Sequence, residues 1–215
     1  MNKRLVITTL LLLLVIQSRA LSQTEEPPRY EIAAEFTTLN RDEFADIRVE
    51  PGIGFRFTFN FNKNFAIEGA THASFGDCNS CQPAGHFLDL FGGIKAGKRY
   101  KSWGVFAKAR PGVVSFTDGR IFVVQTGTTG PFPFQFQSKE LDGFATDLGG
   151  VIEFYPSRRI VTRFDVGDTI IHLPRHTDDG LSFDPATGGY TIVPFTTPAK
   201  TTHNFQFVVS VGFRF

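Results

Sequence analysis

The last eleven residues of the chain, Phe205–Phe215, read FQFVVSVGFRF and alternate from end to end. Phe205, Phe207, Val209, Val211, Phe213 and Phe215 fall on one face, and Gln206, Val208, Ser210, Gly212 and Arg214 on the other. Successive side chains of a strand point to opposite faces, so a period of two predicts a strand. IGFRFTFNF repeats the pattern, setting Ile53, Phe55, Phe57, Phe59 and Phe61 against Gly54, Arg56, Thr58 and Asn60. Runs of this length are about what a tilted strand needs to cross a bilayer.

Eight segments carry the pattern: Tyr30–Thr38, Ile53–Phe61, Phe65–Phe75, Leu88–Gly97, Trp103–Pro111, Phe144–Phe154, Ile160–Ile170 and Phe205–Phe215. Pro111 falls at the end of its segment, where a missing ladder donor is tolerable. The connections alternate in length. Asn62–Asn64, Lys98–Ser102 and Tyr155–Arg159 are tight turns, whereas Leu39–Gly52, Gly76–Phe87, Gly112–Gly143 and Ile171–Asn204 are long. Outer-membrane barrels show this asymmetry, with short periplasmic turns and longer outer loops. The pattern predicts an all-β fold: one antiparallel up-and-down transmembrane β-barrel of about eight strands, with both termini on the periplasmic side.

The beginning of the chain reads as an export signal. Lys3 and Arg4 precede an apolar stretch, Leu5–Ile16, and Ala20-Leu21-Ser22 supplies small residues for cleavage before Gln23. The expected organisation is a signal peptide at 1–22, a short segment at 23–29 and the barrel domain at 30–215. Lys and Arg number 22 against 21 Asp and Glu, which lacks the basic excess of a nucleic-acid binder. The 25 Phe residues demand a core, an interface or lipid to cover them.

Three features put the apolar face outside. The polar face carries charges of both signs in mid-strand: Glu31, Glu35, Glu68, Asp89, Asp147, Glu153 and Asp165 against Arg56, Lys95, Lys108, Arg110, Arg163 and Arg214. Charges enclosed in a narrow lumen must pair, because unpaired burial is expensive. Tyr30, Tyr100, Trp103 and Tyr155 all fall at the short-turn end, where an aromatic ring would meet the lipid–water boundary. The short turns also carry Lys63, Lys98, Arg99, Lys101, Arg158 and Arg159 with no acid, which suits anionic headgroups of outer-membrane lipid.

With its signal peptide, strand pattern and terminal FQFVVSVGFRF, the chain resembles the eight-stranded outer-membrane β-barrel family, which includes OmpA-type transmembrane domains and OmpX. The resemblance covers about residues 29–215 and implies that Phe215 is the assembly signal read by the barrel-assembly machinery. The peptidoglycan-binding domain of full OmpA-type proteins has no counterpart before the chain stops at Phe215.

An eight-stranded barrel is just wide enough for its own side chains, so the thirteen lumen charges are expected to form a packed plug. The alternative is a narrow pore. Cys78 and Cys81 are a candidate disulfide in the second long loop. His86 nearby is too little to make a metal site, and no cofactor is expected. His72-Ala73-Ser74 resembles the His and Ser of lipid A deacylases, outer-membrane barrels that modify lipid, but the alternation points both residues inward. In the third long loop, Arg120–Gln125 and Phe132–Phe136 flank Gly127-Thr128-Thr129-Gly130 and predict a hairpin reaching past the membrane, with Thr191-Ile192-Val193 as a candidate third strand. That Arg120–Phe136 hairpin either caps the mouth or binds an extracellular protein by strand addition, as the protruding sheet of OmpX is thought to do. The expected function is a non-enzymatic, monomeric surface protein; the alternatives are a pore for small solutes and a lipid-modifying enzyme.

Overall fold

The computed structural model describes residues 27–43, 46–76, 81, 83–127, 133–186 and 188–215. The segment read as a signal peptide lies outside them. Ten strands follow one another: β1 (Tyr30–Glu43), β2 (Asp46–Asn60), β3 (Phe65–Ser74), β4 (Ala84–Arg99), β5 (Trp103–Gln125), β6 (Phe134–Phe154), β7 (Ile160–Leu173), β8 (His176–Asp184), β9 (Gly189–Thr197) and β10 (Lys200–Arg214).

Eight of them close into an antiparallel barrel in the order β1-β10-β7-β6-β5-β4-β3-β2, and β8 and β9 form a separate two-stranded ribbon. Each barrel strand pairs with its chain neighbours, except that the ribbon intervenes between β7 and β10. The seam joins the two ends of the domain, from Glu31 opposite Arg214 to Leu39 opposite Gln206. Beyond it, Tyr30 and Phe215 exchange backbone hydrogen bonds of 3.0 and 2.9 Å. Closure leaves the barrel wall without an edge whose backbone groups lack partners.

All eight expected strands are present, and most are longer than the alternation showed. Much of Leu39–Gly52 is not loop but the continued β1–β2 ladder, which runs to Glu43 opposite Asp46. Gly112–Gly143 is likewise mostly the β5–β6 hairpin, paired out to Gln125 opposite Phe134 after a register shift between Phe116 and Arg120. Along Gln135–Glu140 both faces of the hairpin are exposed, so the period fades although the ladder continues; in the β1–β2 extension Leu39, Arg41 and Glu50 still face inward, but their mixed apolar and charged types hide the alternation. Thr191–Val193 does not extend that hairpin; it pairs with Gly180–Ser182 in the β8–β9 ribbon.

Pro111 is interior to β5 rather than at its end. The β5–β6 ladder runs through it, opposite Thr146. On the β4 side the pairing is interrupted between Phe91–Gly112 and Ile94–Ala109, so the missing N–H falls where the ladder has a gap.

Candidate functional site

The alternation of the strands sorts the side chains inside out. Ile32, Phe36, Ile53, Phe55, Phe57, Ile94, Val105, Ile152, Phe164, Val211 and Phe213 are exposed on the outer wall. All thirteen mid-strand charges named above are buried in the lumen, and every barrel strand contributes at least one.

Their partners are one another. Glu68 on β3 is the hub: Arg163 donates to both of its oxygens, and Lys95, Arg56 and Arg110 approach to 3.3, 3.6 and 3.9 Å. Arg163 turns its other donors to Asp165, with Nη2 at 2.7 Å from Oδ2. Lys108 bridges Asp147 at 2.8 Å and Asp165 at 3.2 Å, while Arg110 Nε donates to Asp147 at 2.8 Å. Arg56 Nε donates to Glu35 at 2.7 Å and its remaining nitrogens to Thr58 and Ser210. Lys95 also pairs with Glu153, and Arg214 with Glu31.

Two residues assigned to the turns belong to this lumen. Tyr155 is buried rather than part of the outer aromatic ring: its hydroxyl donates to Glu153 and accepts from Arg99, both at 2.8 Å. Arg99 leaves the basic turn cluster for Glu153 and Glu31, at 3.3 and 3.6 Å. Glu153 points inward, so Tyr155, two residues on, does too; alternation carried one step past the strand would have found it. The outer ring at this end consists instead of Tyr30, Phe61, Phe65, Tyr100, Trp103 and Phe215, all exposed. Tyr30 stacks on Phe215 and Tyr100 on Trp103.

Towards the long hairpins the lumen turns apolar. Leu39, Phe87, Phe91, Val114, Phe116, Leu141 and Ile171 pack into a buried cluster. Beside it Arg41 pairs with Glu50, donates to the Gly85 carbonyl at 3.0 Å and stacks over the Phe116 ring. Among the described residues, the interior is therefore a charged layer with an apolar layer above it.

His72 sits between β1 and β4 with both ring nitrogens engaged: Nδ1 is 2.8 Å from Asp89 Oδ1 and Nε2 is 2.9 Å from Glu35 Oε2. The fit needs Gly54 opposite, where a Cβ would come within 2.3 Å of the imidazole. A neutral imidazole has one donor, so two carboxylates call for the imidazolium. At neutral pH both ring nitrogens are expected to carry protons, read as a pair of protonated-type 15N shifts. A single unprotonated nitrogen would refute this. The Ser74 hydroxyl accepts from Phe87 N–H and donates to the Gly76 carbonyl.

Cys81 is disulfide-bonded; Cys78 lies outside the described residues. Among those described, no group of three or more His, Cys, Asp or Glu is placed to hold a metal ion. At the outer end Arg120 donates to Asp178 and to the Thr177 carbonyl, tying the ribbon to the β5–β6 hairpin.

No protein-family model matches the chain. No curated protein sequence matches it. Among solved structures it is similar to Ail, the attachment invasion locus protein of Yersinia pestis, with TM-score 0.50 and 11% identity over 88% of this chain and 99% of that one. This is the fold of the eight-stranded outer-membrane barrels. OprG of Pseudomonas aeruginosa (TM-score 0.47, 11% identity, 89% of this chain and 97% of that one) and Neisserial surface protein A (0.47, 8%, 86% and 97%) are also similar. At such identities the likeness concerns the fold alone.

Proposed function

We propose that this chain is a non-enzymatic outer-membrane barrel, exported by a signal peptide at 1–22 and monomeric, that closes its own lumen and presents long hairpins at the cell surface. The observation that carries the reading is the inverted distribution of side chains, with paired charges filling the inside and an apolar girdle exposed outside. Water does not favour such a girdle, whereas bilayer hydrocarbon does. The β5–β6 hairpin and the β8–β9 ribbon stand beyond the girdle. The β7 ladder on β6 begins only at Phe144, so Gln135–Gly143 offers a strand edge to an extracellular protein partner.

The test is gel migration of the detergent-solubilised protein, with and without boiling, followed by planar-bilayer recording. Heat-modifiable migration and an electrically silent protein are expected. Unshifted migration would refute the membrane reading, and steady conductance would replace the plug with a pore. The filled lumen supports the first outcome.

Phe215 bears on assembly. Its backbone pairs with Tyr30 and its ring stacks there at 5.7 Å. Removing it is expected to lower insertion into the outer membrane sharply, both by weakening the seam and by erasing the residue proposed to be read by the barrel-assembly machinery. Insertion at the native yield would rule that role out.

A further inference from the structure

The two ends of the barrel differ in charge. The segments Phe61–Asn64, Lys98–Ser102 and Tyr155–Arg159 contain no acid. Lys63, Lys98, Lys101, Arg158 and Arg159 are exposed there, and Arg29 is exposed beside the β1–β10 seam. These residues sit at the β2–β3, β4–β5 and β6–β7 turns and at the seam, so the cations surround the whole end. The four long connections at the opposite end hold eleven acids against six bases.

The cations also have a defined depth. Tyr30, Tyr100, Trp103 and Phe215 ring the barrel immediately next to them. Lys98 Nζ lies 5.6 Å from the centre of the Tyr100 ring, which stacks on Trp103 at 4.4 Å. Amphipathic aromatic rings settle where lipid meets water, so Arg29, Lys63 and Lys101 just beyond the ring and Lys98, two residues inside Tyr100 on β4, flank the level of headgroup phosphates.

We propose that the short-turn end is a docking ring for anionic phospholipid headgroups, which it selects over zwitterionic ones. The ligand chemistry is a phosphodiester with net negative charge, held by the exposed amines and guanidinium groups of that end. The inference rests on the outer-membrane reading and adds the lipid class and the leaflet. The acidic opposite end gives no such attraction.

The test reconstitutes the purified barrel in phosphatidylcholine bilayers with a minority of phosphatidylglycerol and reads the boundary shell by electron spin resonance of spin-labelled lipids. Labelled phosphatidylglycerol is expected in the shell at about threefold or more over labelled phosphatidylcholine, with the preference shrinking in high salt. Changing Lys63, Lys98, Lys101, Arg158 and Arg159 together to Gln should equalise the two lipids, with heat-modifiable migration retained as the check on folding. If that variant fails to fold, Arg158→Gln with Arg159→Gln should remove part of the preference. Equal shells for the native barrel, or a preference surviving neutralisation, would overturn the inference. Displacement of the labelled lipid by inorganic phosphate would assign the ring to free anions instead, and also overturn it. A barrel that enters no bilayer of either composition would bring down the outer-membrane reading itself.

Discussion

Replacing Glu68 by alanine is expected to cost the folded barrel about 3–5 kcal/mol, the usual cost of removing one partner from a buried ionic network. Glu68 is the carboxylate on which Arg163, Lys95, Arg56 and Arg110 converge. Arg163 and Arg110 keep Asp165 and Asp147, but the four cations then face one another around a vacated centre. Asp179→Ala, on the exposed ribbon, is the control and should change stability by less than about 0.5 kcal/mol. Urea unfolding in detergent micelles or bilayers measures both. A cost near that of the control would mean that the lumen charges are solvated by water, and the sealed interior would have to be abandoned.

Phe55→Arg is expected to cost about 2–4 kcal/mol, the range for a cation on the lipid face near the bilayer midplane. Phe55 is outward and 52% exposed in the middle of the β2 girdle, and Val209, outward on β10, should respond similarly. The same change at Phe195, which is 67% exposed on the β8–β9 ribbon, should cost far less. Exposure is comparable at Phe55 and Phe195, so burial in the protein cannot account for a difference; only the solvent outside can. Equal effects at the two sites would refute a lipid-facing wall.

The barrel is legible in the sequence because alternation survives wherever one face is an exposed apolar wall and the other meets paired charge. In FQFVVSVGFRF and IGFRFTFNF the two environments differ at every step, so existence, direction and facing could all be read. Legibility failed where that contrast fails. Phe87-Leu88-Asp89-Leu90-Phe91 is apolar on both faces except at Asp89, so the inward Phe87 and Phe91 of the upper core looked no different from the outward Leu88 and Leu90. The outer end of β6 hides its strand because both faces of Gln135–Glu140 are exposed and impose no period, and the ends of β1 and β2 hide theirs because the inward Leu39, Arg41 and Glu50 mix apolar and charged types. Arg99 and Tyr155 were misplaced for another reason: as residues at strand ends they were assigned to turns, though the ladder's twofold repeat carries through them into the lumen. His72 was correctly faced, but no spacing rule could show that Glu35 and Asp89, 37 and 17 residues away, would meet its two nitrogens.

The seam between β1 and β10 governs the timing of assembly. Glu31 finds Arg214 only across 183 positions of chain, so the contact that completes the cylinder is among the least local the molecule makes. Non-local pairings are slow to form because chain entropy is lost before they return any stability. Without β10 the remaining wall would be an open sheet with two unpaired borders, and its set of opposite charges would lack Arg214. Closure is thus all-or-none and comes last. Open borders of this kind invite pairing with other copies of the chain, and that exposure ends at the step that joins the two termini.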